Sequence, residues 1–337
     1  MKQELRNLLH NAGTLDNHKL ELGYVDTGSY ALNRIISGKY DGGYPIGGIT
    51  ELIGEPSVGK TGFLTHAFKA AQKKDYICGL VDVEFAYSES FAAQLGVDSA
   101  NLVYFPIEKI DTAPKAFQEM EAFIKSVRAI DEDTPIVLAL DSLGTIQSER
   151  DAEEDMVDGS NMDGAIRAKE IGRLLRKFNP VVRANKVCLL VVNQWRVKPG
   201  GIPGGAISKT RAGGGRAAEY YLSVSLDIVS NKSTDINKEE KNPVGFKGKI
   251  VNKKNKVSVP YLETVFDFNY TTGLDRYYGL APMLAKDGII TQAGAWYELG
   301  EGKKFRGAEL KEKLATGGPE FDVIRDLLNL SVEEAVA

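Results

Sequence analysis

Gly54-Glu55-Pro56-Ser57-Val58-Gly59-Lys60-Thr61 is a complete G-x-x-x-x-G-K-[ST] phosphate loop. The stretch before it, Ile49 to Ile53, has the apolar and β-branched character of a buried strand. The stretch after it, Gly62 to Lys74, reads as a helix. Strand, glycine loop and helix in that order are the setting the motif requires. Glycines let backbone N–H groups close around a phosphate at a helix N-terminus, where the helix dipole favours negative charge. Lys60 can reach the β- and γ-phosphates, and the Thr61 hydroxyl can hold Mg²⁺. The candidate nucleotide cradle is therefore Gly54, Glu55, Pro56, Ser57, Val58, Gly59, Lys60, Thr61 and Gly62. A chance glycine turn before a helix is the bland alternative, and the full motif in its full setting argues against it.

Composition narrows the classes open to the chain. Its 337 residues suggest one large domain or two to three smaller units, and 43% hydrophobic residues suffice for a sizeable core. A net charge of −4 excludes a uniformly basic surface, so binding to an acidic polymer needs a local patch. Cys78 and Cys188 each sit in an apolar strand-like run, as reduced buried thiols of a cytoplasmic protein would. His10, His18 and His66 have no metal-ligand spacing with one another or with cysteine, which argues against a zinc site. The N-terminus lacks an apolar signal core, and no apolar run approaches the ~18 residues of a membrane span.

Outward from the loop, strand and helix alternate from Tyr24 to about Asp275, which predicts a mostly parallel sheet covered on both faces. Apolar runs at Ile49–Ile53, Tyr76–Val81, Leu102–Phe105, Ile136–Leu140 and Val187–Val192 supply its strands. A helix is expected after Asp111-Thr112-Ala113-Pro114, with Phe117, Met120, Phe123, Ile124, Val127 and Ile130 facing inward. A second carries Ile171, Leu174, Leu175, Phe178 and Val182. Tyr220–Val229, Phe246–Val251 and Val257–Phe268 follow without intervening helices and read as an antiparallel extension. Residues 1–23 form a polar arm whose Leu5, Leu8, Leu9 and Ala12 share one helical face too small to be buried alone. Residues 276–337 read as a small α+β C-terminal domain, leaving 24–275 as the core.

Three strand ends carry the remaining chemistry. Pro135 to Leu140 leads into Asp141, placed to hold Mg²⁺ through water or by a hydrogen bond to the loop threonine. Ile77–Val81 leads into Asp82-Val83-Glu84, where a carboxylate can orient and deprotonate water; Asp82 and Glu89 compete with Glu84 for that role. Val191-Val192-Asn193-Gln194 ends in an amide that could sense a γ-phosphate. Beyond it, Trp195 to Ala218 holds seven glycines, five cations (Arg196, Lys198, Lys209, Arg211, Arg216) and no acid. Such a segment suits ordering on a polyanion, and the candidate DNA contacts are those five cations with Gly213 and Gly214. A lid over the nucleotide is the alternative, but five charges exceed what one triphosphate needs.

Together these residues resemble the RecA family of homologous-recombination ATPases. The likeness covers about Val25 to Ala295. It rests on Asp26-Thr27-Gly28-Ser29 with Ala31-Leu32, the phosphate loop, Asp82-Val83-Glu84, and Leu95-Gly96-Val97-Asp98. It continues through Val192-Asn193-Gln194 with Arg196, Lys254 to Pro260, and Ala293-Gly294-Ala295-Trp296-Tyr297. Leu140-Asp141-Ser142-Leu143-Gly144, Arg167-Ala168-Lys169 and Leu174 to Phe178 look closest to the phage, UvsX-like branch, whereas Gln194 looks more like the bacterial one.

The resemblance implies an α/β fold of the RecA-type P-loop ATPase core, binding ATP and Mg²⁺. It implies that Glu84 is the catalytic base and that Gln194 couples the γ-phosphate to the DNA loop. Phe91 would stack on adenine, and Lys254 and Lys256 would reach a neighbour's ATP in trans. On the residues alone, Lys254 and Lys256 belong to a basic run that is usually a solvated face. Implied partners are single- and double-stranded DNA, further copies of the chain in a helical filament, a single-strand-binding protein and a loader, with no membrane. The family's first DNA loop would fall near Arg150 to Met162, but here it holds Asp151, Glu153, Glu154, Asp155 and Asp158, which cannot face phosphates cheaply. The expected activity is a DNA-dependent ATPase that pairs and exchanges homologous strands. A RecA-like helicase motor and an ATP-switched DNA-coating adaptor are the alternatives.

Overall fold

The computed structural model describes residues 22–153, 163–197, 209–236, 243–300 and 303–331. The expected N-terminal arm, most of the acidic segment near 150–162 and Lys198 lie outside these residues. The chain enters through β1 (Tyr24–Val25), α1 (Tyr30–Ser37) and β2 (Tyr44–Pro45), with β1 and β2 paired antiparallel. Ser29 accepts a hydrogen bond from the Leu32 N–H to start α1, and Gly38 ends it in the left-handed region.

The phosphate-loop strand β3 (Gly48–Gly54) is buried at every residue, and α2 (Lys60–Gln72) follows it. Next come β4 (Ile77–Asp82), α3 (Glu89–Leu95) and β5 (Leu102–Tyr104), then α4 (Ala113–Arg128), β6 (Ile136–Asp141) and α5 (Glu149–Glu153). They are followed by α6 (Asp163–Ala184), β7 (Val187–Val197), β8 (Lys209–Arg211), α7 (Gly215–Glu219) and β9 (Val224–Ile236). The strands β10 (Pro243–Asn255), β11 (Glu263–Asn269) and β12 (Gly273–Leu274) come without a helix between them. The chain ends in α8 (Leu280–Lys286), β13 (Thr291–Ala293), β14 (Trp296–Leu299), β15 (Lys303–Arg306), α9 (Leu310–Thr316) and α10 (Asp322–Leu328).

The main sheet runs β12-β11-β10-β9-β3-β7-β6-β4-β5. Pairing is parallel from β9 through β5 and antiparallel from β9 through β12, as the sequence pattern predicts. Period-two alternation sends each central strand to both faces. Val137 and Ala139 of β6 join one core with α1 and α2; Ile136, Leu138 and Leu140 join the other with α4 and α6.

Two expectations need correction. Ile130 is 91% exposed rather than inward. The helix ends two residues earlier, where the Arg128 guanidinium donates to the carbonyls of Asp131, Thr134 and Asn185 and turns the chain toward β6. β7 also runs three residues past Gln194, because β8 folds back on it with Trp195 opposite Arg211 and Val197 opposite Lys209.

The C-terminal segment shares the first core. Leu280, Leu284, Phe305, Leu310 and Ile324 pack in the same buried cluster as α1 and α2. Arg34 forks onto both oxygens of Asp287, at 2.7 and 3.1 Å, and Tyr40 donates to the same carboxylate at 2.7 Å. Among the described residues no helix is long and apolar enough to cross a membrane.

His66 of α2 is buried, and its Nε2 accepts the Leu274 N–H at 2.9 Å. Burial first, and the Lys69 charge second, lower its pKa from 6.5 to about 4. Between those values the unfolded chain binds a proton that the native state refuses. This contribution is therefore intact above pH 6.5 and lost as the pH falls toward 4. At about pH 5 it removes about 2 kcal/mol. Urea unfolding across that range should show this loss, and His66→Gln should show a shallower one.

Candidate nucleotide site and glycine-loop anchor

The parallel strands fix where the site can be, because their carboxyl ends share one edge of the sheet. Gly54 of β3 lies opposite Gln194 of β7, and Asp82 of β4 lies opposite Asp141 of β6. The phosphate loop, the two carboxylate turns and the amide are thus brought together by backbone register alone.

The loop ends at Gly59, whose φ of 82° is left-handed and whose side-chain position is closed by the Phe246 ring at 2.8 Å. No side chain caps α2, and the first N–H groups of a helix have no carbonyl partner within it. Lys60 is buried, and its amine donates to the Glu55 carbonyl at 2.7 Å and the Gly54 carbonyl at 3.4 Å. Burial lowers its pKa, against the opposing pull of Asp141 and Glu84. Thr61 Oγ1 donates to Asp141 Oδ2 at 2.7 Å. Burial raises Asp141 to about 7; the Thr61 bond and Lys60 charge oppose that, while Glu84 and Asp82 add to it. A hydroxyl and a carboxylate crowded by further carboxylates are the hard-oxygen donors that Mg²⁺ takes, so the residues fit that ion.

The three acids near β4 now separate. Asp82 accepts the N–H groups of Ala86 and Tyr87 at 3.2 and 3.0 Å, so it caps the turn. Glu89 sits in the first turn of α3. Glu84 alone reaches the amide: Gln194 Nε2 donates to Glu84 Oε1 at 2.9 Å, and Ser142 Oγ donates to the same oxygen. Ser142 follows a cis peptide bond after Asp141. Sequence reading missed Ser142 as a partner of Glu84, although it stood beside Asp141 in the same motif. Phe91 lies on α3, partly buried, with its ring 6.1 Å from that of Phe268.

Asn193 was also missed as a site residue. It is fully buried and ties the amide strand to the exit of the glycine-rich segment. Its Oδ1 accepts the Gln194 and Gly213 N–H groups, both at 2.9 Å. Its Nδ2 donates to Glu51 Oε1 at 2.8 Å and to the Gly213 carbonyl at 3.0 Å. Gly213 must be glycine, because a Cβ there would meet the Leu143 carbonyl oxygen at 2.3 Å.

Among the described residues, the expected DNA cations fall on β7, β8 and α7. Arg196 lies in β7 and Lys209 in β8, which pair antiparallel at the stem of the loop. Arg216 is exposed on α7, which Gly214 precedes in the left-handed region. Arg211 departs from the expected surface: its side chain is only 9% exposed and paired with Glu51 and Glu219. Lys254 donates to the Glu219 carbonyl, and Lys256 donates to the Tyr220 carbonyl at 2.8 Å, at the end of α7. Burial, then the Lys256 charge, lowers the pKa of Lys254.

A phosphate loop after a central parallel strand, with carboxylates and an amide at the neighbouring strand ends, defines a P-loop nucleotide hydrolase. The RecA N-terminal domain model matches residues 10–275. Protein RecA of Clostridium botulinum is 30% identical over 326 residues, covering 95% of this chain and 86% of that one. Protein RecA of Leptospira meyeri is 29% identical over 94% of this chain and 77% of its own length. Protein RecA of Brucella anthropi is 31% identical over 89% and 78%. The chain belongs to the RecA family. Its activity is accordingly that of a DNA-dependent ATPase, an ATP-dependent recombinase of DNA recombination and repair.

Asn193→Ala would orphan both backbone groups of Gly213 and leave Glu51 Oε1 with only the shared Arg211 Nε–H. A destabilisation of about 2–4 kcal/mol is expected, read as a lower urea midpoint at unchanged slope.

Proposed function

We propose that the chain assembles in the cytoplasm as a helical filament on single-stranded DNA, binds ATP with Mg²⁺ between neighbouring copies, and pairs the bound strand with homologous duplex. The observation that carries this reading is the 2.9 Å hydrogen bond from Gln194 to Glu84. It links the strand that opens the DNA segment to Glu84, the carboxylate that would act on water.

Gly54 to Gly62 would wrap the phosphates with backbone N–H groups, and the Lys60 amine would exchange the Glu55 carbonyl for phosphate oxygens. Thr61 and Asp141 would hold Mg²⁺, which neutralises charge on the phosphates when bound. Glu84 would accept a proton from water at Oε1 once Gln194 turns its amide toward the γ-phosphate. Phe91 would offer the open part of its ring to the base.

Lys254 and Lys256 would project toward a neighbour's phosphates, where a trans cation contributes on the order of 10³ to 10⁵ in turnover. Their present hold on the end of α7 supports a link between the subunit boundary and the glycine-rich segment. That segment would follow the DNA backbone through Arg196, Lys198, Lys209 and Arg216, with Gly213 and Gly214 allowing close approach. Homology would be tested by base pairing itself. A single-strand-binding protein and a loader would serve such a filament.

ATP hydrolysis, titrated in protein with and without single-stranded DNA, tests the reading. Stimulation rising cooperatively with protein is expected; DNA-independent turnover at constant specific activity would overturn it. Lys60→Ala should abolish turnover, and Glu84→Gln should lower it by about 10² or more while nucleotide still binds. Replacing Lys209 and Arg216 by alanine should lower the salt slope of DNA binding by about 0.7 for each phosphate no longer neutralised.

A further inference from the structure

Arg211 stands apart from the other cations of the glycine-rich segment. Its Nε–H is shared by both Glu51 oxygens at 3.0 Å. Its Nη1 donates to Glu219 Oε2 at 3.0 Å and its Nη2 to Ser225 Oγ at 3.3 Å. One face of the guanidinium lies 5.5 Å from the centre of the Trp195 ring. Each of the three nitrogens already donates, one face is covered and the side chain is only 9% exposed, so a phosphate would have to compete with these partners. The cleft of about 810 Å³ that it borders is also lined by Glu55, Glu219 and Asp227, with Lys253 the other cation there. Carboxylates on that wall would repel a DNA backbone.

The partner of Arg211 matters more than its exposure. Glu51 is fully buried in β3, three residues before Gly54. It also accepts Asn193 at 2.8 Å and Ser225 at 2.6 Å. A buried carboxylate is tolerated only when paired and hydrogen-bonded, and Arg211 is the cation paired with it. Two connections therefore run inward from the exit of the glycine-rich segment. The Trp195–Arg211 register reaches Gln194 along β7, and the guanidinium reaches the phosphate loop along β3.

We infer that Arg211 is a positioning residue that ties the exit of the glycine-rich segment to the phosphate-loop strand through Glu51, transmitting DNA engagement to ATP turnover, and is not itself a DNA contact. The inference rests on the proposed DNA-stimulated activity, so the unsubstituted chain is measured first. Absence of stimulation there would remove the proposed function, whatever Arg211 does.

The decisive protein is the double variant Glu51→Gln with Arg211→Gln, which removes both charges and leaves no unpaired buried carboxylate. Two quantities are read: the salt slope of binding to a labelled single-stranded oligonucleotide, and the ratio of DNA-stimulated to basal ATP turnover. The expected result is an unchanged slope with a ratio lowered by about tenfold. A slope reduced by about 0.7 would make Arg211 a phosphate contact and overturn the inference. An unchanged ratio would reduce the pair to a structural tie and overturn it equally. If the double variant does not fold, Arg211→Lys decides. A lysine keeps a phosphate contact but cannot span Glu51, Glu219 and Ser225 together. A fallen ratio at unchanged slope then supports positioning, and a retained ratio refutes it.

Discussion

The constraint on which the rest depends is the parallel register of β3, β7, β6 and β4. Parallel strands must all leave the sheet at one edge, so whatever follows each strand is collected there. Gly54 beside Gln194 and Asp82 beside Asp141 are consequences of hydrogen bonds made deep in the sheet. Once those rungs are set, Thr61 meets Asp141 with short side chains and little entropy to lose, and Gln194 meets Glu84 across backbones already fixed. The strands that hold this register are themselves specified by apolar runs buried on both faces, the pattern a doubly covered sheet demands.

Much of this was legible in the residues. The phosphate loop announces its own strand and helix, and the alternating runs predict the sheet and its antiparallel extension. The polar ends of three strands mark Asp141, Gln194 and the acids after β4, among which only the family resemblance picked Glu84. What the sequence hides is pairing across distance. Arg211 looks like its neighbours Lys209 and Arg216 in a segment without acids, yet its counter-charge sits 160 positions earlier on β3. Glu51 gave no warning either, because one acid in an apolar strand can equally mark an edge. Asn193 reads as a strand-end amide, although it carries the bonds that orient Gln194. Ile130 fits the helical period and fails because Arg128, two residues before it, ends the helix first. In each case a long-range polar contact overrode a local pattern.

The polar groups behind the site form a layer of their own. Glu51, Asn193, Ser225 and Arg211 lie under the sheet edge, and the groups expected to touch nucleotide lie in front of it. Such a layer is costly to bury and is stable only when every member is satisfied. It sets the angle of Gln194 and the approach of Gly213 to Leu143 together, so neither can shift alone. A site built this way responds to a pull on the glycine-rich segment as a unit.

The first core has a consequence for how the chain can be divided. The match to the RecA N-terminal domain ends at residue 275, and the next residue, Arg276, is a staple. Its guanidinium pairs with Asp26 at 2.6 Å and lies 4.0 Å from the centre of the Tyr30 ring. Burial alone would raise the Asp26 pKa, but Arg276 and the hydrogen bonds from Asn33 and Gly28 hold it below the usual carboxylate range. A fragment trimmed at the limit of that domain would lose this clasp and uncover the apolar surface that Leu280 and Leu284 now seal. The N-terminal domain of the family and the unit of folding therefore end at different residues, and a truncated product would be prone to clump and to be digested, however intact its phosphate loop.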